Sequence, residues 1–373
     1  MTSLLVLGSL ALAAWIGLLL YPARPWDLKP IAEDEPEPPV PPAWPSVAVL
    51  VPAHDEALTL PWTLPALLAQ DYPGEWSIAV VDDRSADGTA AFVAAFAGGR
   101  LAVVAGGPLP AGWVGKLWAL EQGVRAVEPA EYLLLTDADI LHVPGSLRRL
   151  VAEAEASRLG LVSRMARLRC VSLAERLLIP PFLFLFQCLY PMRRANEDGD
   201  RLAAAAGGCI LVRRDALDRS GGFDAIAGAV IDDVSLARRV KRLPAPIRLA
   251  ISRSDVTSIR PHDSVASLWA MVARTAFTQL RRSAVLVALT VLALALLFAF
   301  PPLLLVYGLA AGSPAAAALG GGAWLAMTVA FLPTVRFFGL WPLWAATLPV
   351  AGLLYAGMTL DSALRRPIGR VGV

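Results

Sequence analysis

The sequence predicts an α/β domain with a doubly wound, mostly parallel sheet, flanked at both ends of the chain by transmembrane helices. The first observation is composition, because 56% of the 373 residues are hydrophobic and 17% are charged, against about 45–50% and 25% in soluble domains. The second is that residues 1–23 contain no charged side chain and residues 283–360 contain only Arg336. The third is that the middle region alternates short Val-, Leu- and Ile-rich runs with helix-length stretches, which is typical of parallel sheets buried on both faces.

Residues 1–23 are predicted to form an N-terminal transmembrane anchor. The run SLLVLGSLALAAWIGLLLY (3–21) has the length of about 20 residues that a helix needs to cross a bilayer. A cleaved signal peptide is the alternative, but a basic start and a small-residue cleavage site are missing. Residues 24–45 combine proline with acidic side chains, as in PIAEDEPEPPVPPAW, and predict an extended linker.

The α/β domain is expected over 46–283. Its strands are predicted at SVAVLVP (46–52), WSIAVVDD (76–83), RLAVVAG (100–106) and YLLLTDAD (132–139), with helices such as 58–70 and 144–157 between them. Ligands of such sheets bind beyond the carboxyl ends of the strands. Carboxylates follow three of these strands, in VPAHDEA, VVDDRSADGTA and LLTDADI, so a site is predicted at that edge.

Two stretches near 172–190 and 264–282 are predicted to be interfacial helices. The first, SLAERLLIPPFLFLFQCLY, is apolar but short for a span, and a plain core helix is the alternative. Residues 284–361 contain about three further candidate transmembrane segments, and 362–373 form a tail. Basic residues favour the cytoplasmic side. The basic residues beside the spans place the middle region in the cytoplasm, namely Arg24, Lys29, Arg281 and Arg282. Three crossings after that region would place the tail outside. The basic residues of the tail oppose that position, namely Arg365, Arg366 and Arg370.

The pair Asp137 and Asp139 in LLLTDADILH has two interpretations. A strand-end aspartate often only caps a helix or ends a strand. Alternatively, two hard carboxylates one residue apart can share Mg²⁺ or Mn²⁺, whose other positions go to phosphates and water. Such an ion would neutralise a diphosphate leaving group.

Other candidates lie in segments that also have structural explanations, namely helix caps, tight turns, small-residue packing and solvated or positive-inside cations. Asp232 and Asp233 begin an apparent helix, and one of them is a candidate general base for an acceptor hydroxyl. The candidate donor-binding residues are Pro52, Ala53, His54, Glu56, Asp83, Lys116, Asp137, Gly207, Gly208, Gln279 and Arg282.

Some classes of site are not indicated. The three cysteines form no C-x-x-C pair and the three histidines have no metal-ligand spacing, so neither a disulfide framework nor a zinc site is expected. A net charge of +2 without a basic run gives no reason to expect a nucleic-acid partner.

Taken in order, these motifs resemble membrane-bound family 2 glycosyltransferases of the GT-A fold, the Rossmann-like nucleotide-diphospho-sugar transferase fold. The resemblance covers about 46–283 and is carried by PAHDEA, Asp83, TDAD, the Gly207–Gly208 pair, the Asp232–Asp233 pair, and Gln279 with Arg282. GWVGKLWAL, TDADILH and AAAAGGCILVRRDAL further resemble bacterial hopene-associated glycosyltransferases.

This resemblance implies a UDP-sugar donor, Mg²⁺ or Mn²⁺, and a hopanoid or other lipid acceptor in the bacterial inner membrane, with a cytoplasmic catalytic domain. It implies that Asp83 binds uridine, Asp139 the metal, Asp137 the ribose or donor sugar, and that Asp233 is the base. The chain departs from the family pattern at Ser283, where relatives have tryptophan, and at His54 with Asp55 in the first loop.

The expected function is therefore inverting transfer of a single sugar to a membrane lipid. The tryptophan that Ser283 replaces stacks on an acceptor sugar in polymer-making relatives, so its loss favours a single transfer over a processive polysaccharide synthase. A transporter or inactive scaffold is a second alternative. It is disfavoured because Arg336 is the single ionisable residue between 283 and 360, whereas transport sites usually contain several within spans.

Overall fold

The computed structural model describes residues 1–365. Its strands, in chain order, are β1 (Val47–Ala53), β2 (Trp76–Asp82), β3 (Leu101–Ala105), β4 (Tyr132–Thr136), β5 (Ile140–His142), β6 (Leu161–Met165), β7 (Cys209–Arg213), β8 (Ile247–Ile251) and β9 (Val256–Ser258). Its α-helices are α1 (Thr2–Leu20), α2 (Leu60–Leu68), α3 (Thr89–Ala94), α4 (Gly115–Ala126), α5 (Ser146–Ala156), α6 (Leu173–Leu189), α7 (Met192–Ala195), α8 (Arg214–Arg219), α9 (Asp232–Val240), α10 (Val265–Gln279), α11 (Ala284–Leu294), α12 (Phe300–Ala310), α13 (Pro314–Phe337) and α14 (Leu348–Leu364).

The chain divides into two units. The sheet unit comprises residues 29–168 and 194–260, and the helical unit comprises residues 1–28, 169–193 and 261–365.

The sheet unit is built on seven strands in the order β3-β2-β1-β4-β7-β6-β8. Neighbours pair in parallel except for the two pairs that β7 makes with β4 and β6. All seven residues of β1 are buried. Alternate residues of β1 face opposite cores, with Val47, Val49 and Val51 on one side and Ala48 and Leu50 on the other, as expected for a strand covered on both faces. The predicted mostly parallel α/β sheet is confirmed.

One predicted strand ends earlier than expected. The strand predicted over 132–139 stops at Thr136, and the amide of Ile140 donates to the carbonyl of Asp137 over 3.1 Å. That turn leads into β5, which pairs with β9 in a separate two-stranded sheet. Asp137 and Asp139 therefore lie in a turn at the sheet edge and not in a strand.

The proline-rich segment is not a free tether. The amide of Ile251 donates to the carbonyl of Pro30 over 2.9 Å, and Glu33 accepts hydrogen bonds from the Ser252 hydroxyl and from the backbone amides of residues 253–255. Asp34 forms a two-pronged ion pair with Arg253 at 2.8 and 2.9 Å. Residues 30–34 of the predicted linker 24–45 are therefore anchored to the end of β8, and the linker itself remains a prediction.

The helical unit contains four helices long and apolar enough to cross a membrane, Thr2–Leu20, Ala284–Ala310, Pro314–Phe337 and Pro342–Leu364. Glycines allow α12 and α13 to approach closely, since a Cβ on Gly308 would lie 2.3 Å from the Ala317 nitrogen and one on Gly320 would lie 2.4 Å from the Leu305 nitrogen, as is common between membrane helices. The last helix continues to Leu364, past the predicted boundary at 361. Most of the predicted tail, residues 366–373, lies outside the described residues.

The two stretches predicted to be interfacial are helical. Ser172 and Glu175 form a reciprocal capping box at the start of α6, which satisfies two backbone donors of its first turn. The second stretch contains α10, whose first turn is capped by Ser264. Their interfacial position remains a prediction.

Candidate functional site

The loops after β1 and β2 form one edge of the candidate site. These strands run parallel in register from Val47–Trp76 to Ala53–Asp82, so their carboxyl ends meet. The ring Nδ1 of His54 lies 2.7 Å from the carbonyl oxygen of Asp83, and the Glu56 amide donates to the Thr89 hydroxyl over 2.8 Å. These bonds fix the two loops to each other.

Two of the predicted donor residues are part of the strand itself. Pro52 pairs with Val81, and the carbonyl of the fully buried Ala53 accepts the Asp83 amide over 2.8 Å. Their side chains therefore support the loop, and they are not exposed at its surface.

Asp82 was missed by the sequence analysis and has an unusual environment. Within residues 1–365, its buried Oδ1 has no hydrogen-bond partner. The Oδ1 of the neighbouring Asp83 is instead 3.2 Å from the Arg84 Nε. A buried acceptor without a donor is costly, and Asp82 Oδ1 is such an acceptor, enclosed by the protein. The adjacent carboxylates in VVDD were the available signal, but they did not indicate which of the two has an oxygen without a hydrogen-bond partner.

Lys116 is at the centre of the second group. It lies in the first turn of α4, and its Nζ is 2.6 Å from Asp137 Oδ1, 3.7 Å from Asp232 Oδ2 and 3.4 Å from the Gly207 carbonyl oxygen. Burial would lower the pKa of Lys116, but the Asp137 and Asp232 carboxylates outweigh it and raise that pKa. The lysine is therefore a fixed cation between α4, the turn after β4 and the start of α9.

Asp233 completes this group. The Gly207 amide donates to its Oδ2 over 2.9 Å and the Val234 amide to its Oδ1 over 2.7 Å. A Cβ on Gly207 would lie 3.1 Å from Lys116 Nζ, so a larger residue would press on the lysine. Burial, and then the charge of Asp232, raise the pKa of Asp233 to about 7. A carboxylate with that pKa can accept a proton near neutral pH.

Asp139 points toward a different set of partners. The Ser258 hydroxyl donates to its Oδ2 over 2.6 Å, and the Arg260 Nε lies 3.6 Å from the same oxygen. Arg260 also forms an ion pair with Glu56, so it joins the loop after β1 to the turn after β4. Sequence reasoning missed Ser258 and Arg260, and no local pattern marks either of them, because both lie far along the chain from their partners.

The fit of a divalent cation rests on Asp137 and Asp139. Burial raises the pKa of Asp137, Lys116 opposes this, and the Asp139 carboxylate adds to the increase, so the two charges lie close enough to interact. No group of three or more Asp, Glu, His or Cys side chains in the described part of the chain is arranged to hold a metal. Mg²⁺ sites often take one or two carboxylates and complete their shell with substrate phosphates and water. The carboxylates fit a site of that kind, completed by the substrate.

Two predicted donor residues, Gln279 and Arg282, belong to the helical unit and not to the sheet unit. The Gln279 side-chain amide donates to the Tyr190 hydroxyl over 2.6 Å. Arg282 is exposed just after α10, with its backbone at φ 55°. Their proposed contact with a diphosphate remains a prediction.

The model of glycosyl transferase family 21 matches residues 9–369, nearly the whole chain. The chain belongs to glycosyl transferase family 21. This family 21 protein is therefore a glycosyltransferase, and the predicted relation to GT-A, family 2-like glycosyltransferases is confirmed. No curated protein matches the sequence.

Among three similar solved structures, one shares the fold of this chain over nearly its whole length. The mannosyltransferase PcManGT from Pyrobaculum calidifontis, solved with GDP-Man and Mn²⁺, is 24% identical to the family 21 chain, with a TM-score of 0.61 over 96% of this chain and 99% of that one. Glucosyl-3-phosphoglycerate synthase from Mycobacterium tuberculosis, solved with Mn²⁺, UDP-glucose and phosphoglyceric acid, is 17% identical, with a TM-score of 0.40 over 63% of this chain and 79% of that one. Mannosyl-3-phosphoglycerate synthase from Rubrobacter xylanophilus is 18% identical, with a TM-score of 0.40 over 64% and 74%.

Proposed function

We propose that the chain transfers a single sugar from a UDP-sugar to a hydroxyl of a membrane lipid, with inversion at the anomeric carbon. The observation that carries this proposal is the convergence of Asp137, Asp232 and Asp233 on Lys116 at the carboxyl edge of the sheet, in a member of a glycosyltransferase family. A nucleotide-sugar donor is further supported by the two solved relatives whose names include GDP-Man or UDP-glucose.

The loops after β1 and β2 are proposed to hold the nucleoside. The free acceptor at Asp82 Oδ1 suits an imide N–H such as that of uracil. Asp83, as the family resemblance implies, would then face the ribose or the other edge of the base. The contact between His54 Nδ1 and the backbone carbonyl oxygen of Asp83 fixes the backbone of the loop that carries both aspartates.

Asp137 and Asp139 are proposed to hold Mg²⁺ or Mn²⁺ together with the donor diphosphate. When bound, the ion neutralises charge on the departing diphosphate. The Lys116 ammonium, 2.6 Å from Asp137 Oδ1, orients that carboxylate and offsets part of the negative charge of the pocket. Arg260 similarly orients Asp139 and keeps Glu56 in the loop.

Asp233 is proposed to be the general base. The acceptor hydroxyl oxygen forms a bond to the anomeric carbon, the bond from that carbon to the diphosphate oxygen breaks, and the hydroxyl proton moves to Asp233. The two backbone amides hold the carboxylate in one orientation. Burial, and then the charge of Asp232, raise the pKa of Asp233, so the base is strong enough to take the proton.

A lipid acceptor is supported by the four helices that are long and apolar enough to span a membrane. We propose a hopanoid or related lipid as the acceptor, and the bacterial inner membrane, with the sheet unit in the cytoplasm, as the location. The processive polysaccharide synthase is the weaker proposal, because Ser283 replaces the tryptophan of polymer-making relatives.

The test is product analysis with the full chain in lipid nanodiscs. Radiolabelled UDP-glucose, UDP-galactose, UDP-N-acetylglucosamine and GDP-mannose are each supplied with Mn²⁺ and a hopanoid-containing lipid extract. The proposal expects label from a UDP-sugar in one organic-soluble species that carries a single sugar. Label in a water-soluble ladder would instead identify a polymerase, and incorporation from GDP-mannose alone would overturn the UDP assignment.

A further inference from the structure

A cleft in the sheet unit is lined by three arginines and lies apart from the carboxylates around Lys116. It has a volume of about 520 Å³ and is largely open to solvent, so it is a shallow surface cleft. One wall is the loop 224–229. The other is formed by Ser235, Arg238 and Arg239 on α9 and by Arg242, the second residue after that helix. These four positions follow the i, i+3, i+4, i+7 spacing that places side chains on one side of a helix.

The arginines of the cleft lack acidic partners. Within residues 1–365, Arg238 and Arg242 make no ion pair, and both are exposed. Arg239 is held by the Ser220 carbonyl oxygen, 3.0 Å from its Nη1, and not by a carboxylate. Asp224, the single carboxylate of the lining, is also unpaired in the described part of the chain, so the cleft has an excess of two positive charges, three from arginine less one from Asp224.

Nearby arginines behave differently. Arg213, Arg214 and Arg219 each pair with a carboxylate on or beside α8. A helix dipole favours basic residues in the last turn, which accounts for Arg238 and Arg239. It does not account for Arg242, which follows the end of α9, or for a cleft between the arginines and the loop.

From this arrangement we propose that the cleft binds a phosphate-bearing anion. Guanidinium groups donate paired hydrogen bonds that match phosphate oxygens, and Arg binds phosphate more specifically than Lys for this reason. The phosphate belongs either to a free anion or to the headgroup of an anionic lipid. A chain with helices long enough to span a membrane is exposed both to free anions in solution and to lipid headgroups.

The cleft is connected to the carboxylates of the proposed active site. Asp232 and Asp233 begin the same helix whose last turn carries Arg238 and Arg239. Ile226 lines both the cleft and the small cavity beside Lys116. The Val114 amide donates to the Ala227 carbonyl over 2.8 Å, which ties the cleft loop to the segment just before Lys116. An anion in the cleft would therefore restrain the elements that position these groups.

The test compares two double variants of the full chain, each purified in detergent with a chelator to remove divalent cations. Arg238→Gln with Arg242→Gln removes two cleft charges and leaves Arg239 in place. Arg158→Gln with Arg201→Gln is the matched control, because both of these arginines are exposed in the same unit, have no ion pair among residues 1–365, and do not line the cleft.

Binding is measured in two arms. Inorganic phosphate is titrated and followed by ³¹P NMR line broadening, and lipid retention is counted by native mass spectrometry from micelles that contain equal parts of phosphatidylglycerol and phosphatidylcholine. We expect the cleft variant to bind about tenfold more weakly, roughly 1.4 kcal/mol, while the control binds like the wild type. Loss in the phosphate arm identifies a free anion as the ligand, and loss confined to phosphatidylglycerol identifies a lipid headgroup.

Equal binding by the cleft variant and the wild type in both arms would overturn the proposal, and so would an equal loss in the control. If the double variant is not folded by near-UV circular dichroism, Arg242→Gln alone serves, because that side chain is exposed and follows the helix. It is expected to show a smaller loss in the same arm.

Discussion

Replacement of Asp233 by Asn should separate binding from chemistry. Asn has nearly the same shape but cannot take the acceptor proton. General-base catalysis contributes about 10²–10⁴ in rate, so turnover should fall by that factor, equivalent to roughly 2.7–5.5 kcal/mol in the activation barrier. Nucleotide affinity should change by less than about threefold, because Asp233 contacts Gly207 and Val234 and not the loops after β1 and β2.

The structure also limits how far the variant can disturb the fold. One of the two backbone donors, the Gly207 or the Val234 amide, will face the side-chain NH₂ of Asn, and the loss of that bond costs about 1 kcal/mol. Removal of the Asp233 charge relieves its repulsion with Asp232, which offsets part of that cost. The Asn variant should therefore be folded.

The pH dependence gives a second readout. Because the pKa of Asp233 is raised to about 7, the wild-type kcat/KM should fall about tenfold per pH unit below this value, and the Asn variant should lack this limb. The raised pKa also means that ionisation of Asp233 reduces wild-type stability as the pH rises from 3.8 toward 7. The stability of the Asn variant relative to the wild type should increase over the same range.

The assay is transfer of radiolabelled sugar into the lipid phase, with UDP binding measured by calorimetry in the presence of Mn²⁺. Asp198→Asn is a matched control, since Asp198 is exposed in the same unit. Transfer by Asp233→Asn within threefold of the wild type would remove Asp233 as the base. Equal losses of UDP affinity and turnover would show that it has a binding role instead.

Three further predictions concern other contacts. Lys116→Met should destabilise the chain by about 1–3 kcal/mol at pH 7.5, less than a fully buried pair costs because Asp137 is partly exposed. Thermal unfolding should show a smaller deficit at pH 5.5, because Asp233, whose pKa is raised to about 7, is then protonated, and an equal deficit at both pH values would contradict the charge cluster. Arg260→Gln should tighten Mn²⁺ binding about tenfold, because a cation near Asp139 is removed. Free Mn²⁺ is measured by electron paramagnetic resonance, and an unchanged or weaker Mn²⁺ affinity would count against a metal at Asp139. Glu33→Gln should cost about 1–2 kcal/mol at pH 7. Burial would raise the pKa of Glu33, but hydrogen bonds from the amides of residues 253–255 outweigh it and lower the pKa to about 2. The stability advantage of the wild type should therefore disappear as the pH falls from 4.5 to 2. A pH-independent difference in stability would rule out this cause.

The sheet and its edge could be predicted because their causes are local. Runs such as VAVLVPA must be buried on both faces, and parallel strands bring their carboxyl ends to one edge. This was enough to select Lys116, Asp137 and Asp233, which the structure brings together. It did not give the length of the fourth strand, since the turn at Asp137 depends on hydrogen bonding to Gly208 from another strand.

The missed residues depend on contacts between distant parts of the chain. Ser258 is 119 positions from Asp139, and Arg260 is 204 positions from Glu56, so no spacing rule connects them. The Glu33 contact was also invisible, because a proline-rich acidic segment is extended by composition alone, and its partners are backbone amides of a turn. The sequence also could not show that Asp82 Oδ1 lacks a hydrogen-bond partner while Asp83 Oδ1 lies beside Arg84, because this depends on the folded conformation of the loop.

The central claim is that the turn carrying Asp137 and Asp139 binds a divalent cation together with the donor diphosphate. The most direct measurement is a structure of the full chain with Mn²⁺ and UDP, with the ion located by anomalous scattering. The account predicts a Mn²⁺ peak at about 2.0–2.3 Å from a carboxylate oxygen of Asp139 or Asp137, with the UDP diphosphate on the same ion. A Mn²⁺ ion and diphosphate bound elsewhere, with Lys116 and both carboxylates untouched, would contradict it.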